Sequence, residues 1–337
     1  MVKISDVAHH AGVSPSTVSY VLSGKRSISQ ETKERVWGAI AKLGYRPHAG
    51  ARALASSRAN VVALVLPLRS GIHVPVVMQF AVSVVTSARE HDHDVLLLTE
   101  QEGEAGLRRV AASSMVDGVL VMDIQLHDQR LPVLRSLDRP AVLIGMPEDT
   151  TGLTCVDLDF AAAGAACVGH LADLGHRQVT LIGSPPEVYA RETGFAERVE
   201  QGFHETARLR DMHSSAHPCS PTAEAVEDLL DELLRDQPDL TAVVVHNEPL
   251  VEPVIRALRR AGRPVPDQVS VVAICPDEVA ERAPLPITSV RIPSEELGQR
   301  AVDLLMALLD GGTVPETTLL TPELIVRAST APPPPRP

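Results

Sequence analysis

The strongest constraint on the fold is a succession of short, unbroken apolar runs separated by stretches of helical length. Val61–Leu66, Asp94–Leu98, Gly118–Met122 and Ala141–Ile144 form one set, with helices expected at 75–91, 104–113 and 128–136. Runs at Val179–Ile182, Ala242–Val245 and Val269–Ile274 form a second set, with helices expected at 190–208, 222–235 and 249–261. Continuous rather than alternating hydrophobicity means a strand buried on both faces. With helical crossovers between the runs, that means parallel sheets covered on each side. A final stretch (strand 287–292, helix 294–310, strands near 317–327) is expected to return to the first set. The reading is therefore an α/β body over 60–330, with an N-subdomain of about 60–159 plus 290–330 and a C-subdomain of about 160–289. The tail from Ala331, rich in proline, is expected to be disordered over 331–337.

The first 46 residues follow another rule. Ile4, Val7, Ala8 and Ala11 recur at helical spacing, Gly12 permits a sharp turn, and Ser14 and Pro15 suit the N-cap and first position of a second helix. In that helix Val18, Val21 and Leu22 form one apolar stripe. Ser16, Thr17, Ser19 and Tyr20 fall off the stripe and remain available to a ligand. Ser29 and Glu31 open a third helix with Val36, Ile40 and Leu43 inward and Gly44 as its stop. None of the three helices could hold alone. The segment 47–59 reads as a linker holding a short Ala-rich helix with one large apolar residue, Leu54, which forms only against a partner.

Charge separates the same two parts. The formal net charge is −12, yet residues 1–60 carry nine Lys/Arg against three Asp/Glu, leaving 22 against 40 for the remainder. A basic head on an acidic body is the layout expected when only the head meets a polyanion. The four cysteines are scattered without a CxxC pair, which argues for reduced thiols and against a zinc site. No apolar run reaches a membrane span and the start lacks a signal-peptide core, so a cytoplasmic, nucleoid-associated protein is expected. No GxGxxG follows a strand, and no nucleophile–base set has an argued geometry, so neither a cofactor nor catalysis is expected. His91-Asp92-His93-Asp94 reads as a solvated turn rather than a metal site.

Ile4-Ser-Asp-Val-Ala, Ala11-Gly-Val-Ser, Thr17-Val-Ser, Leu43-Gly-Tyr-Arg-Pro and Ala51-Arg-Ala-Leu-Ala together resemble the head of the lactose-repressor (LacI/GalR) family of bacterial transcription regulators. The resemblance implies a second helix in the major groove, with Ser14, Pro15, Ser16, Thr17, Ser19 and Tyr20 at the DNA. It also implies a hinge helix in the minor groove, where Leu54 wedges into a base step beside Arg52 and Ala55. Tyr20 stands where the family usually has Arg, so a bidentate guanine contact worth about 1–3 kcal/mol is replaced by one hydroxyl and a ring.

The body is similar to the effector domain of that family, a fold shared with periplasmic sugar-binding proteins. Arg191-Glu-Thr-Gly194-Phe195, Val269-Ser-Val-Val and Pro322-Glu-Leu-Ile-Val-Arg327 carry that similarity. It implies two α/β subdomains with a ligand cleft between them, where the physics of open parallel sheets also places one. Arg191, Asn247, Asp277, Asp159, Tyr189 and Asp123 are the candidate effector contacts. Cys275 and Gly145 stand where sugar-binding members usually have Asp, which thins the expected carboxylate chemistry. The overall expectation is a homodimeric repressor on a pseudo-palindromic operator, controlled by a sugar or oligosaccharide. An activator or corepressor-dependent regulator, a solute-binding protein and an enzyme on the body fold are the alternatives.

Overall fold

The computed structural model describes residues 2–23, 26–45, 58–66, 73–99, 103–112 and 115–335. The hinge segment, with Arg52, Leu54 and Ala55, lies outside them.

The head is three helices, α1 (Ile4–Ala11), α2 (Pro15–Ser23) and α3 (Gln30–Leu43). Gly12 turns the chain at φ 65°, a left-handed conformation that costs glycine little. Ser14 Oγ accepts the Thr17 N–H at 3.1 Å, satisfying a donor at the start of α2. Gly44 closes α3 at φ 61°. Val7, Ala8, Ala11, Val18, Val21, Val36 and Ala39 make the core of the head, and Tyr45, which the sequence pattern left outside it, is buried there too.

The body contains two six-stranded sheets. The first has the order β11 (Thr317–Leu320), β5 (Thr154–Leu158), β4 (Ala141–Ile144), β3 (Gly118–Met122), β1 (Val61–Leu66), β2 (Asp94–Thr99), all parallel. The second has the order β12 (Leu324–Ile325), β10 (Thr288–Arg291), β9 (Ser270–Cys275), β8 (Ala242–Val245), β6 (Gln178–Gly183), β7 (His213–Pro218), parallel except for β12. The chain crosses between the sheets three times, at Leu158–Phe160, Arg291–Ser294 and Leu320–Leu324.

Three differences from the sequence reading have physical causes. Strands β5 and β7 are missing from it, because TCVDL and HSSAHP lack an apolar run. Strand β10 and residues from Leu324 onward join the second sheet, not the N-subdomain: β10 runs parallel to β9, and β12 pairs with β10. Only β11 and the helix Ser294–Leu309 return to the first set. The tail is also not disordered from its start. Ala331 donates its N–H to Ser270 Oγ at 3.0 Å, and its carbonyl accepts from His176 Nε2 at 3.0 Å.

The body's entry is anchored by a group read as part of a solvated turn. His93 is buried, with Nδ1 2.7 Å from the His91 carbonyl and Nε2 3.5 Å from Asp117 Oδ2. Asp117 in turn accepts the Ala59 and Asn60 N–H groups at 2.7 Å each, and Arg58 donates to Asp310 and the Leu309 carbonyl. The chain leaving the hinge is thereby fixed to the first subdomain.

Candidate functional site

Two sites follow from this architecture. On the head, α2 keeps Val18 and Val21 inside and leaves Ser14, Pro15, Ser16 and Tyr20 exposed, with Thr17 and Ser19 half-buried. Thr17 Oγ1 lies 2.9 Å from Ser14 Oγ, so the cap also holds one of the candidate DNA contacts. The Arg26 guanidinium stacks over the Tyr20 ring, 5.6 Å from its centroid.

In the body, a cavity of about 250 Å³ opens between the two sheets at the carboxyl ends of their strands. Its polar groups come from both subdomains. Asp123 follows β3 and Asp157 lies within β5, while Ser184 follows β6 and His246, Asn247 and Glu248 follow β8. Asp123 has φ 56°, a left-handed conformation that aspartate tolerates better than most residues. Phe160, Phe195 and His246 pack ring to ring with centroids 5.7–5.9 Å apart along one wall. Asn247 is held in place by donating from Nδ2 to the Gly183 and Cys219 carbonyls at 3.2 and 2.9 Å.

Burial dominates the electrostatics. It pushes the Asp157 carboxyl up to about 7 against an opposing pull from Arg198, and pushes Glu248 up to about 7. The same burial pushes His246 down to about 4, so its imidazole is neutral near pH 7. His73 Nδ1 lies 3.9 Å from Glu248 Oε2, and both residues line the cavity.

The cavity also carries ties between the subdomains. The Leu126 N–H donates to the Glu192 carbonyl at 2.8 Å and the Gly194 N–H to the Ile124 carbonyl at 3.1 Å. Arg198 donates to the Met146 and Pro147 carbonyls at 2.8 and 3.0 Å. His127 sits between Glu148 and Glu192, with one ring nitrogen 2.8 Å from the first and the other 2.9 Å from the second. Both nitrogens can donate only when the ring is protonated, and the two carboxylates hold its pKa above the ordinary value.

Of the six candidate effector contacts, Asn247 and Asp123 line this cavity. The others stand elsewhere for identifiable reasons. Asp159 caps the helix Phe160–Asp173 by accepting the Ala162 N–H at 2.9 Å. Asp277 is paired with Arg327 at 3.0 Å, so it does not restore the carboxylate absent at Cys275. Tyr189 lays its hydroxyl against Gly183, where a Cβ would stand 2.2 Å away, and burial raises its pKa. Arg191 is the C-cap of the short helix Pro186–Ala190, outside the residues that line the cavity, and its buried Nε and Nη2 atoms have no hydrogen-bond partner among the described residues.

The carboxylate chemistry that looked thin in sequence is supplied by residues it did not single out. Gly145 lines the cavity at φ 123° without a side chain, but Asp157 lies on the neighbouring strand and Glu248 follows Asn247. Asp157 was hidden because β5 was not recognised as a strand. Glu248 is hidden because it stands directly before the helix expected at 249–261, where an acidic residue reads as a partner of the helix N-terminus. The four cysteines are buried and free, and burial pushes Cys155 and Cys275 up to about 12, so they are unreactive core residues.

The model of the bacterial regulatory proteins of the lacI family matches residues 3–48, and that of the periplasmic binding protein-like domain matches 168–330. The HTH-type transcriptional regulator AglR of Rhizobium meliloti is 30% identical over 99% of this chain and 96% of its own. The regulator CelR of Thermobifida fusca is 31% identical over 96% of each chain. A solved CelR–cellobiose complex superposes with a TM-score of 0.69 at 29% identity, covering 98% of this chain and all of that one. The lac repressor dimer bound to operator and the anti-inducer ONPF shares the fold, with a TM-score of 0.83 at 23% identity over 98% of this chain and 99% of that one.

Proposed function

Because the chain belongs to the LacI family of DNA-binding transcriptional regulators, we propose that it is a repressor, acting as a homodimer on a pseudo-palindromic operator and released or tightened by a sugar in the cleft. The observation that carries the reading is the cavity, whose polar groups come from both subdomains while the head keeps an exposed α2 face. A ligand bridging Asp123 and Asp157 on one side to Asn247 and Glu248 on the other binds one relative arrangement of the subdomains better than another, and only such differential binding shifts a conformational equilibrium.

The dimer reading is supported by the helix Val74–Glu90. Val74, Met78, Val82 and Val85 form an exposed apolar stripe along it, beside exposed Leu97 on β2. A second copy of this chain, related by a two-fold axis, buries that stripe against itself. A change in subdomain angle then alters the spacing of the two hinge segments, which enter the body at the Arg58 and Asp117 anchors. Coupling of this kind amounts to about 1–3 kcal/mol and is reciprocal, so DNA alters ligand affinity as much as ligand alters DNA affinity.

The test is a fluorescence-anisotropy titration of the full chain on duplexes selected from a random pool, repeated with mono- and disaccharides. Tight binding to a palindromic duplex, changed by one sugar, is the expected result. No sequence preference refutes the operator reading, and a sequence-specific complex indifferent to every sugar refutes the effector class.

A further inference from the structure

The head holds one cation in a setting unlike the others. The Arg26 guanidinium lies over the Tyr20 ring, 5.6 Å from its centroid, and among the described residues it makes no ion pair or hydrogen bond. The carboxyl groups of the head are placed elsewhere. Asp6 accepts the Lys3 N–H at 2.8 Å, Glu34 accepts from Gln30 at 3.3 Å, and Glu31 stands in the first turn of α3. Arginines of the body behave otherwise: Arg58, Arg135 and Arg327 each donate to a carboxylate and to a backbone carbonyl.

The ring that carries Arg26 belongs to the outward face of α2. Ser16 and Tyr20 stand one turn apart in that helix, so they share a face, and both are exposed while Val18 and Val21 turn inward. Arg26 itself is exposed and comes from the loop between α2 and α3. A guanidinium attracted to an aromatic ring is held by the π face, which occupies none of its hydrogen-bonding positions. Its planar fork therefore stays available while the long side chain is already ordered. That ordering is otherwise a cost of binding.

We propose that Arg26 is the guanine-reading side chain of this head, presented to the major groove by the Tyr20 ring. This rests on α2 meeting operator DNA and names the pair that sets specificity there. Two N–H groups of Arg26 match the O6 and N7 acceptors of guanine, an acceptor pair that adenine, cytosine and thymine do not present in that groove. Tyr20, with one hydroxyl, cannot make that bidentate contact and acts as the positioning residue. A phosphate needs only the charge, which a mobile lysine supplies as well. A fork held flat against a ring on the groove-facing side of a helix suits a base edge.

Duplexes selected from a random pool by the full chain give the preferred half-site, and anisotropy titrations then measure each position. One G·C pair per half-site is expected at which exchange for A·T weakens binding about tenfold. Replacing that guanine by 7-deazaguanine, which lacks N7, is expected to weaken binding too. In Arg26→Ala both losses vanish at that position and the other positions keep their preferences. Tyr20→Phe keeps the ring and retains the guanine preference, whereas Tyr20→Leu loses it although Arg26 is still present. The 7-deazaguanine comparison alters only the DNA, so it stands whether or not a variant folds. An Arg26→Ala variant that weakens every duplex equally and lowers the salt slope by about 1 makes Arg26 a phosphate contact and overturns the proposal. So does a 7-deazaguanine loss that persists in Arg26→Ala, a guanine preference that survives Tyr20→Leu, or a selected site with no position sensitive to 7-deazaguanine. Failure to select any sequence overturns operator reading by the head itself.

Discussion

Asp157→Asn isolates the electrostatic strain stored in the empty cleft. Asp157 is 5% exposed, and its carboxyl titrates near 7 in the folded chain, against about 3.9 in an unfolded one. A carboxyl whose folded pKa is raised has no effect below its unfolded value. As the pH climbs, the folded state must either hold a proton that the unfolded state has lost or bury a charge, so stability falls until the folded pKa is passed. Between pH 5 and 7 this spans about two pH units, or about 3 kcal/mol. Asparagine keeps the shape, and its side-chain oxygen can still accept the Leu158 N–H as Asp157 does at 3.0 Å. The cost of the amide itself is the same at every pH, so it cancels when the variant's advantage is compared between pH 5 and pH 8. In thermal melts of the unliganded chain, that advantage is expected to grow by about 6–12 °C across the window. Contributions from Glu248 and the histidines are common to both proteins and also cancel. Melting curves that stay parallel from pH 5 to pH 8 would falsify the claim that burial of Asp157 outweighs the pull of Arg198.

Four further outcomes are expected. Gly202→Ala places a Cβ 1.9 Å from the Ala161 carbonyl oxygen, where the helices Phe160–Asp173 and Gly194–Leu209 meet backbone to backbone. Overpacking of about 1–3 kcal/mol should outweigh the helix-propensity gain, whereas Gly169→Ala, with open space around it, should stabilise, and urea titrations distinguish them. Leu54→Ala should weaken operator binding more than binding to random DNA in anisotropy titrations, and equal losses would remove the wedge role. Arg191 lies outside the cavity lining, so Arg191→Ala should leave both the ligand response and operator affinity in place, and a lost response in ligand titrations would make it an effector contact. His127 binds its two carboxylates as an imidazolium with a raised pKa, so its tie between the subdomains is present at low pH and lost as pH rises through that value. His127→Ala should therefore lower the melting temperature at pH 6 more than at pH 8.

The sequence by itself determined the head and the class of the body. Gly12, Ser14, Pro15 and the apolar stripes act within a few residues of one another, and short-range capping and 3.6-residue periodicity are written locally. Seven of the twelve strands among the described residues announced themselves as clear apolar runs because parallel strands covered on both faces must be apolar throughout. Tertiary structure decided the rest. Strand β5 forms although its sequence, TCVDL, breaks the apolar pattern: it is held between β4 and β11, whose Thr317 pairs with Cys155 from 162 residues further along the chain, and so Asp157 became a cleft residue. Asp277, a candidate ligand in sequence, was claimed by Arg327 from a distant strand return, and His93 by Asp117. A carboxylate's role depends on which cation reaches it first and how much water remains, and both are properties of residues brought together from far along the chain.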